Sequence, residues 1–130
     1  MLVDTDIVTY GPLEVEADEQ GPGVARRWAG DIAVPAVRDP QIGLVISELV
    51  TNVVRHTSSP TASVAVVVRG SAVRIEVSDG GTGRPHVVEG KRPPGQGGLG
   101  LRIVDTMATR WGVDDHDHGK TVWAEFDPAA

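Results

Sequence analysis

Glu48 and Asn52 stand four residues apart in a stretch whose apolar residues Ile42, Val45, Ile46, Leu49, Val50, Val53 and Val54 recur at intervals of three and four. That period is helical, so the carboxylate and the amide project from one face about one turn apart. A carboxylate so placed can accept a proton, and an amide oxygen can bind a hard cation such as magnesium. Read alone, the pair is more simply the exposed polar side of an amphipathic helix. A second group, Asp79-Gly80-Gly81-Thr82-Gly83, follows directly on an apolar run. Aspartate at a strand end can accept from an exocyclic amine such as that of adenine, and glycines let the backbone come close to a flat base. A tight turn capped by Asp79 is the plainer alternative. The third group, Gly95-Gln96-Gly97-Gly98-Leu99-Gly100-Leu101, opens another apolar-periodic segment, where unpaired backbone amides and the helix dipole favour phosphate.

Other arrangements fail on their context. Gly95, Gly97 and Gly100 have the spacing of a dinucleotide-binding fingerprint, but that motif needs a strand just before it, and Lys91-Arg92-Pro93-Pro94 excludes a central strand. Gly119-Lys120-Thr121 resembles the end of a P-loop, yet the required upstream glycine position holds Asp114 and a strand is expected to follow. His116 and His118, among Asp114, Asp115 and Asp117, read as a solvated acidic turn rather than a metal cluster. His56 reads as a partner for a helix C-terminal dipole. Trp28, Trp111 and Trp123 lie on elements with core periodicity, which makes ordinary packing their expected role.

The elements that must carry these groups follow from the same pattern. Asp39-Pro40 is a helix start, and the helix bearing Glu48 and Asn52 is expected to run to about Thr57. A shorter helix is expected over about Gln20 to Ala33, with Val24, Trp28 and Ile32 on its buried face. Residues 62–69 and 72–78 are rich in β-branched side chains and are joined by Gly70-Ser71, the signature of a hairpin. A third helix is expected from about Gly98 to Thr109, then strands near Arg110 to Val113 and Thr121 to Phe126 flanking the acidic turn. Residues 1–16 could form an edge strand or stay irregular. Hairpins without alternating crossovers give an α+β fold, with an antiparallel or mixed sheet and helices on one face.

Composition narrows the function. The 130 residues suit one domain; 40% are apolar and only 4% aromatic, so Val, Ile, Leu and Ala must fill the core. A net charge of −6 argues against a protein that coats nucleic acid. No apolar run approaches the roughly 20 residues a bilayer crossing needs, and the first residues lack the features of a secretory signal. The expectation is therefore a cytoplasmic protein with neither membrane nor direct nucleic-acid binding. With no cysteine, disulfide scaffolds, cysteine-type zinc fingers and thiol catalysis are excluded. Eight of the 16 glycines fall within residues 79–100, and from Arg84 to Arg102 the local charge is +3. A glycine-rich, locally basic segment in an acidic chain points to a bound anion, with a surface linker as the alternative.

In order and spacing, Glu48-Leu49-Val50-Thr51-Asn52, Asp79-Gly80-Gly81-Thr82-Gly83 and Gly97-Gly98-Leu99-Gly100-Leu101 resemble the N, G1 and G2 boxes of the Bergerat-fold, histidine kinase-like ATPases. That superfamily includes gyrase, heat-shock chaperones, histidine kinases and mismatch-repair proteins. The strings ISELVTNVVRH, GLGLRIVDTMATRWGV and GKTVWAEF are most similar to those of the stand-alone bacterial anti-sigma-factor serine-protein kinases. The resemblance spans about residues 40–126 and implies one ATP-binding domain over 1–130, a two-layer α/β sandwich with about three helices on one face of the sheet.

Carried over residue by residue, the resemblance implies that Asn52 binds the magnesium bridging the phosphates and that Glu48 is the base or orients the attacking hydroxyl. Asp79 would accept from the adenine amine beside Gly81 and Gly83, and Thr121 would join that network. Arg84 to Gly98, including Lys91 and Arg92, would form the ATP lid, and Gly97, Gly98, Leu99 and Gly100 would meet the phosphates. The implied cofactors are ATP and Mg2+. The implied partners are an antagonist protein of the anti-anti-sigma kind and a sigma factor or similar target, with a homodimer compatible. Without a phosphoacceptor-histidine domain or a transducer domain, a complete sensor histidine kinase and an autonomous ATP-hydrolysing machine are not expected. The competing readings are a non-catalytic ATP-binding interaction module and a detached histidine-kinase catalytic domain.

Overall fold

A computed structural model of the chain describes residues 6–79, 101–117 and 119–128. The central helix, α2 (Pro40–His56), begins where expected: the Asp39 side chain accepts from the Gln41 backbone N–H at 2.9 Å, and Pro40 occupies the first turn. Ile42, Val45, Ile46, Leu49, Val50 and Val53 form its buried stripe. The helix stops at Thr57, whose backbone is extended and whose hydroxyl donates to the Val53 carbonyl.

Helix α1 (Gly21–Gly30) differs from expectation in which face it buries. Gly21, Ala25 and Ala29 are buried, whereas Val24 is 40% exposed and Ile32 lies beyond the helix in a buried loop position. The reason is close approach, since a Cβ at Gly21 would fall 2.2 Å from the Glu16 carbonyl oxygen. Small residues, not the largest apolar ones, therefore face the interior. A 3-10 turn over Pro35–Arg38 connects this helix to α2.

The segment of uncertain structure at the N-terminus is strand β1 (Ile7–Glu16). It pairs antiparallel with β2 (Thr61–Arg69), with a shift in register between Tyr10 and Leu13. Gly11, at φ +93°, sits at that irregularity in a conformation that disfavours any side chain. Strand β2 continues through Gly70-Ser71 into β3 (Ala72–Asp79), the expected hairpin. After α3 (Leu101–Met107), strands β4 (Arg110–His116) and β5 (Gly119–Phe126) complete a five-stranded sheet in the order β1-β2-β3-β5-β4. All four pairings are antiparallel. The sheet and helices form an α+β sandwich, and no helix among the described residues is long and apolar enough to cross a membrane.

The core lies between α2 and the sheet face presented by Ala62, Val64, Val66, Val68, Val73, Ile75, Val77, Val122 and Ala124. In β2 and β3 burial alternates strictly, as expected of strands with one face in the core. β4 extends further than expected, so Asp114, Asp115 and His116 belong to an exposed edge strand rather than to a turn. Charge there protects the open edge from pairing with other chains. Trp28 and Trp111 pack against the core, but Trp123 corrects the expectation of core packing: it lies on the opposite sheet face, across Gly112 and beneath Arg74 at 4.5 Å from its ring centroid.

On that second face Arg74 donates to Glu76 at 2.8 Å and to Glu125 at 2.7 Å, while Arg110 donates to the other Glu125 oxygen at 2.6 Å. Hydrogen bonds from Arg110 first, and from Arg74 second, hold the Glu125 carboxyl below its ordinary range. A carboxylate depressed in the folded state contributes stability that is complete above its unfolded pKa and is lost as pH falls through the folded one. Urea-denaturation midpoints should therefore fall on acidification from pH 7 into the carboxylate range, and Glu125→Gln should flatten that fall. An acid limb of unchanged steepness in the variant would remove Glu125 as its source.

Candidate nucleotide site

β3 carries Val73, Ile75, Val77 and then Asp79 on its buried side, so the same alternation that builds the core places a carboxylate at its end. Asp79 is only 8% exposed, and neither of its oxygens has a hydrogen-bond partner among the described residues. An unsatisfied buried polar group costs about 1–3 kcal/mol, and more if charged, so an arrangement of this kind calls for a donor beyond the described residues. Its neighbour on β2 is Ala62, fully buried and small.

On the other side of Asp79 stands Gly119, the first residue of β5. It is buried, with φ +150°, and a Cβ built on it would lie 2.1 Å from Asp79 Oδ1. The glycine thus leaves the carboxylate the space it occupies. From the sequence Gly119 is only the end of the acidic turn and the first residue of the GKTVWAEF string, with no role at Asp79. The signal that could have found it is a glycine at the start of a strand, but its meaning depends on β5 being the neighbour of β3.

Thr121 is placed differently from the expected role. Ser78 and Thr121 are register partners with their hydroxyls 2.7 Å apart, and His116 Nε2 lies 2.8 Å from the Thr121 hydroxyl. Because side chains alternate along β3, Ser78 and hence Thr121 lie on the sheet face opposite to Asp79. The structure therefore separates Thr121 from the Asp79 carboxylate.

Glu48 and Asn52 are half-buried on α2, one turn apart as their spacing requires. The neighbouring Ser47 and Thr51 hydroxyls are committed to the helix itself, donating to the Leu44 and Ser47 carbonyls at 3.0 and 2.7 Å. Glu48 and Asn52 form no such bond among the described residues. Both therefore keep their oxygens for other work. α2 packs on β3, the strand that ends in Asp79, so one rigid unit carries all three side chains. Gly81, Gly83, Gly97, Gly98, Leu99, Gly100 and the lid expected over residues 84–98, with Lys91 and Arg92, lie outside the described residues. Among the described residues no group of three or more acidic or histidine side chains converges as a metal centre.

The chain resembles known proteins in both sequence and structure. It is 34% identical over 91 residues to the blue-light-activated histidine kinase 2 of Erythrobacter litoralis (strain HTCC2594), a match covering 66% of this chain and 25% of that protein. The chain thus spans about a quarter of the length of this curated relative. Its fold is similar to the RsbU and RsbW domains of Rv1364c from Mycobacterium tuberculosis, with a TM-score of 0.61, 18% identity, and coverage of 94% of this chain and 32% of that one. It is also similar to the histidine kinase domain of the Erythrobacter litoralis EL346 blue-light activated histidine kinase, at TM-score 0.51 and 23% identity, covering 82% of this chain and 57% of that one. Residues 16–126 match the histidine kinase-like ATPase domain, and with that match extending from the end of β1 to the end of β5 the chain belongs to this family.

Proposed function

We propose that this protein is an ATP-binding regulator, a protein-serine kinase of the anti-sigma type that phosphorylates an antagonist protein and holds a sigma factor or similar target. The observation that carries the nucleotide site is the buried, unpartnered carboxylate of Asp79 in a chain of this family. A donor from the edge of adenine satisfies it, and Ala62 and Gly119 leave the space beside it free. Asn52 supplies an amide oxygen for magnesium, and Glu48, one turn earlier, holds the acceptor hydroxyl and receives its proton.

Bound Mg-ATP supplies the γ-phosphoryl group, and the chain's own residues position the reactants and receive the released proton. In balance, the serine oxygen gains a bond to phosphorus, the bond to the departing diphosphate breaks, and the hydroxyl proton passes to Glu48. The resemblance of ISELVTNVVRH, GLGLRIVDTMATRWGV and GKTVWAEF to the anti-sigma-factor serine-protein kinases supports the serine-kinase reading, and the fold similarity over 94% of the chain to a structure containing an RsbW domain agrees with it in fold. A second reading, a histidine-kinase catalytic domain acting on a separate histidine protein, is favoured by the 34% identity to a histidine kinase. Phosphate on the acceptor separates the two, being acid-stable on serine and acid-labile on histidine.

Asp79→Asn should weaken ATP binding at least tenfold, about 1.4 kcal/mol, because an amide can turn a donor toward the base amine. Calorimetry on folded protein is the check, and unchanged affinity would remove Asp79 from the site. Asn52→Ala should weaken binding of Mg-ATP. Glu48→Gln should instead leave ATP bound and slow transfer to the partner by about 10²–10⁴. Phosphorylation by Glu48→Gln at the wild-type rate would overturn the assigned role, and a wild type that binds nucleotide and partner without transfer would make the protein a binding module.

A further inference from the structure

We propose that Gly119 is a positioning residue for the nucleotide site, acting through Asp79; the inference rests on the nucleotide-binding reading above. A Cβ at position 119 would lie 2.1 Å from Asp79 Oδ1, 3.1 Å from its Cγ and 3.4 Å from its backbone oxygen. Real carbon atoms do not approach an oxygen so closely, so one of the two groups must move. From Thr121 onward β5 is held by pairing on both sides, to β3 and to β4, and Gly119 itself is held by its pairing with His116 of β4. The Asp79 backbone is likewise held, through its pairing with Ala62. The freest element in the contact is the Asp79 side chain, which would rotate about its own bonds.

Its present orientation is the one that leaves both oxygens buried and unpaired among the described residues, ready for a further donor. A carboxylate turned elsewhere loses that alignment even though its charge remains in the chain. Gly119 therefore determines where the acceptor points, and Asp79 determines what it accepts. This separates the glycine from a purely structural turn residue, whose replacement would affect stability alone.

The test compares Gly119→Ala, Asp79→Ala and the double variant. Calorimetry with ATP and Mg2+ should show Gly119→Ala binding at least tenfold more weakly than wild type, with no further loss when the substitution is added to Asp79→Ala. In nucleotide-free protein, the Asp79 carboxyl 13C resonance, assigned by its loss in Asp79→Ala, should change its position in Gly119→Ala while the resonances of Asp105 and Asp127 stay in place. Unchanged affinity in Gly119→Ala, equal losses in both backgrounds, or an unmoved Asp79 resonance would each overturn the inference. A wild type that binds no adenine nucleotide, with an Asp79 resonance that still responds, would sink the nucleotide reading and leave the positioning intact. Because φ +150° is itself strained for alanine, Gly119→Ala can fail to fold. The double variant then decides: thermal stability restored by removing the carboxylate supports the contact, and equal instability without it overturns the contact.

Discussion

A carboxylate buried without a partner among the described residues is the constraint on which the candidate site depends. Asp79 ends a strand whose other inward residues are Val73, Ile75 and Val77, so the apolar core that stabilises the sheet also desolvates its carboxylate. Such a group is held in place only by rigid surroundings, because any slack would let it reach water. Pairing with β2 at Asp79 itself, and with β5 as far as Ser78, supplies that rigidity. The space for the carboxylate comes from what is missing around it, a short side chain at Ala62 and none at Gly119.

α2 divides its residues between two tasks. Its apolar stripe, from Ile42 to Val53, anchors it to the sheet, while Glu48 and Asn52 take the half-buried margin of that stripe. A 17-residue helix capped by Asp39 and packed along its length has little freedom to shift. Preorganisation of this kind is what a site built on helices and strands gains over one built on loops.

The two faces of the sheet are stabilised by different physics. One buries aliphatic side chains against helices, whereas the other carries Arg74 stacked on Trp123 and bonded to Glu76 and Glu125, with Arg110 joining Glu125 to Asp127. Each exposed ion pair of this type contributes little alone, and a network shares its charges more effectively. Trp123 belongs to this second system because Gly112 on the adjacent strand leaves its indole a flat seat.

Much of the fold is legible in the sequence because it is encoded over short separations. The Asp39-Pro40 start, the three-and-four spacing along α2 and the Gly70-Ser71 hairpin each depend on residues within a few positions of one another. Glu48, Asn52 and Asp79 could be singled out for the same reason, since a box motif is a local string on one helix or at one strand end. The tertiary structure alone decided which strands become neighbours. It made β1 the edge partner of β2, and it set β5 between β3 and β4, bringing Gly119 against Asp79 and turning Thr121 and Trp123 to the far face. It also buried the alanines of α1 rather than Val24, with the chain at Gly21 too close to Glu16 for any side chain. Periodicity reports that a residue is buried or exposed, but the atom it meets is fixed by register and packing between segments far apart in the chain, and that information resides only in the assembled core.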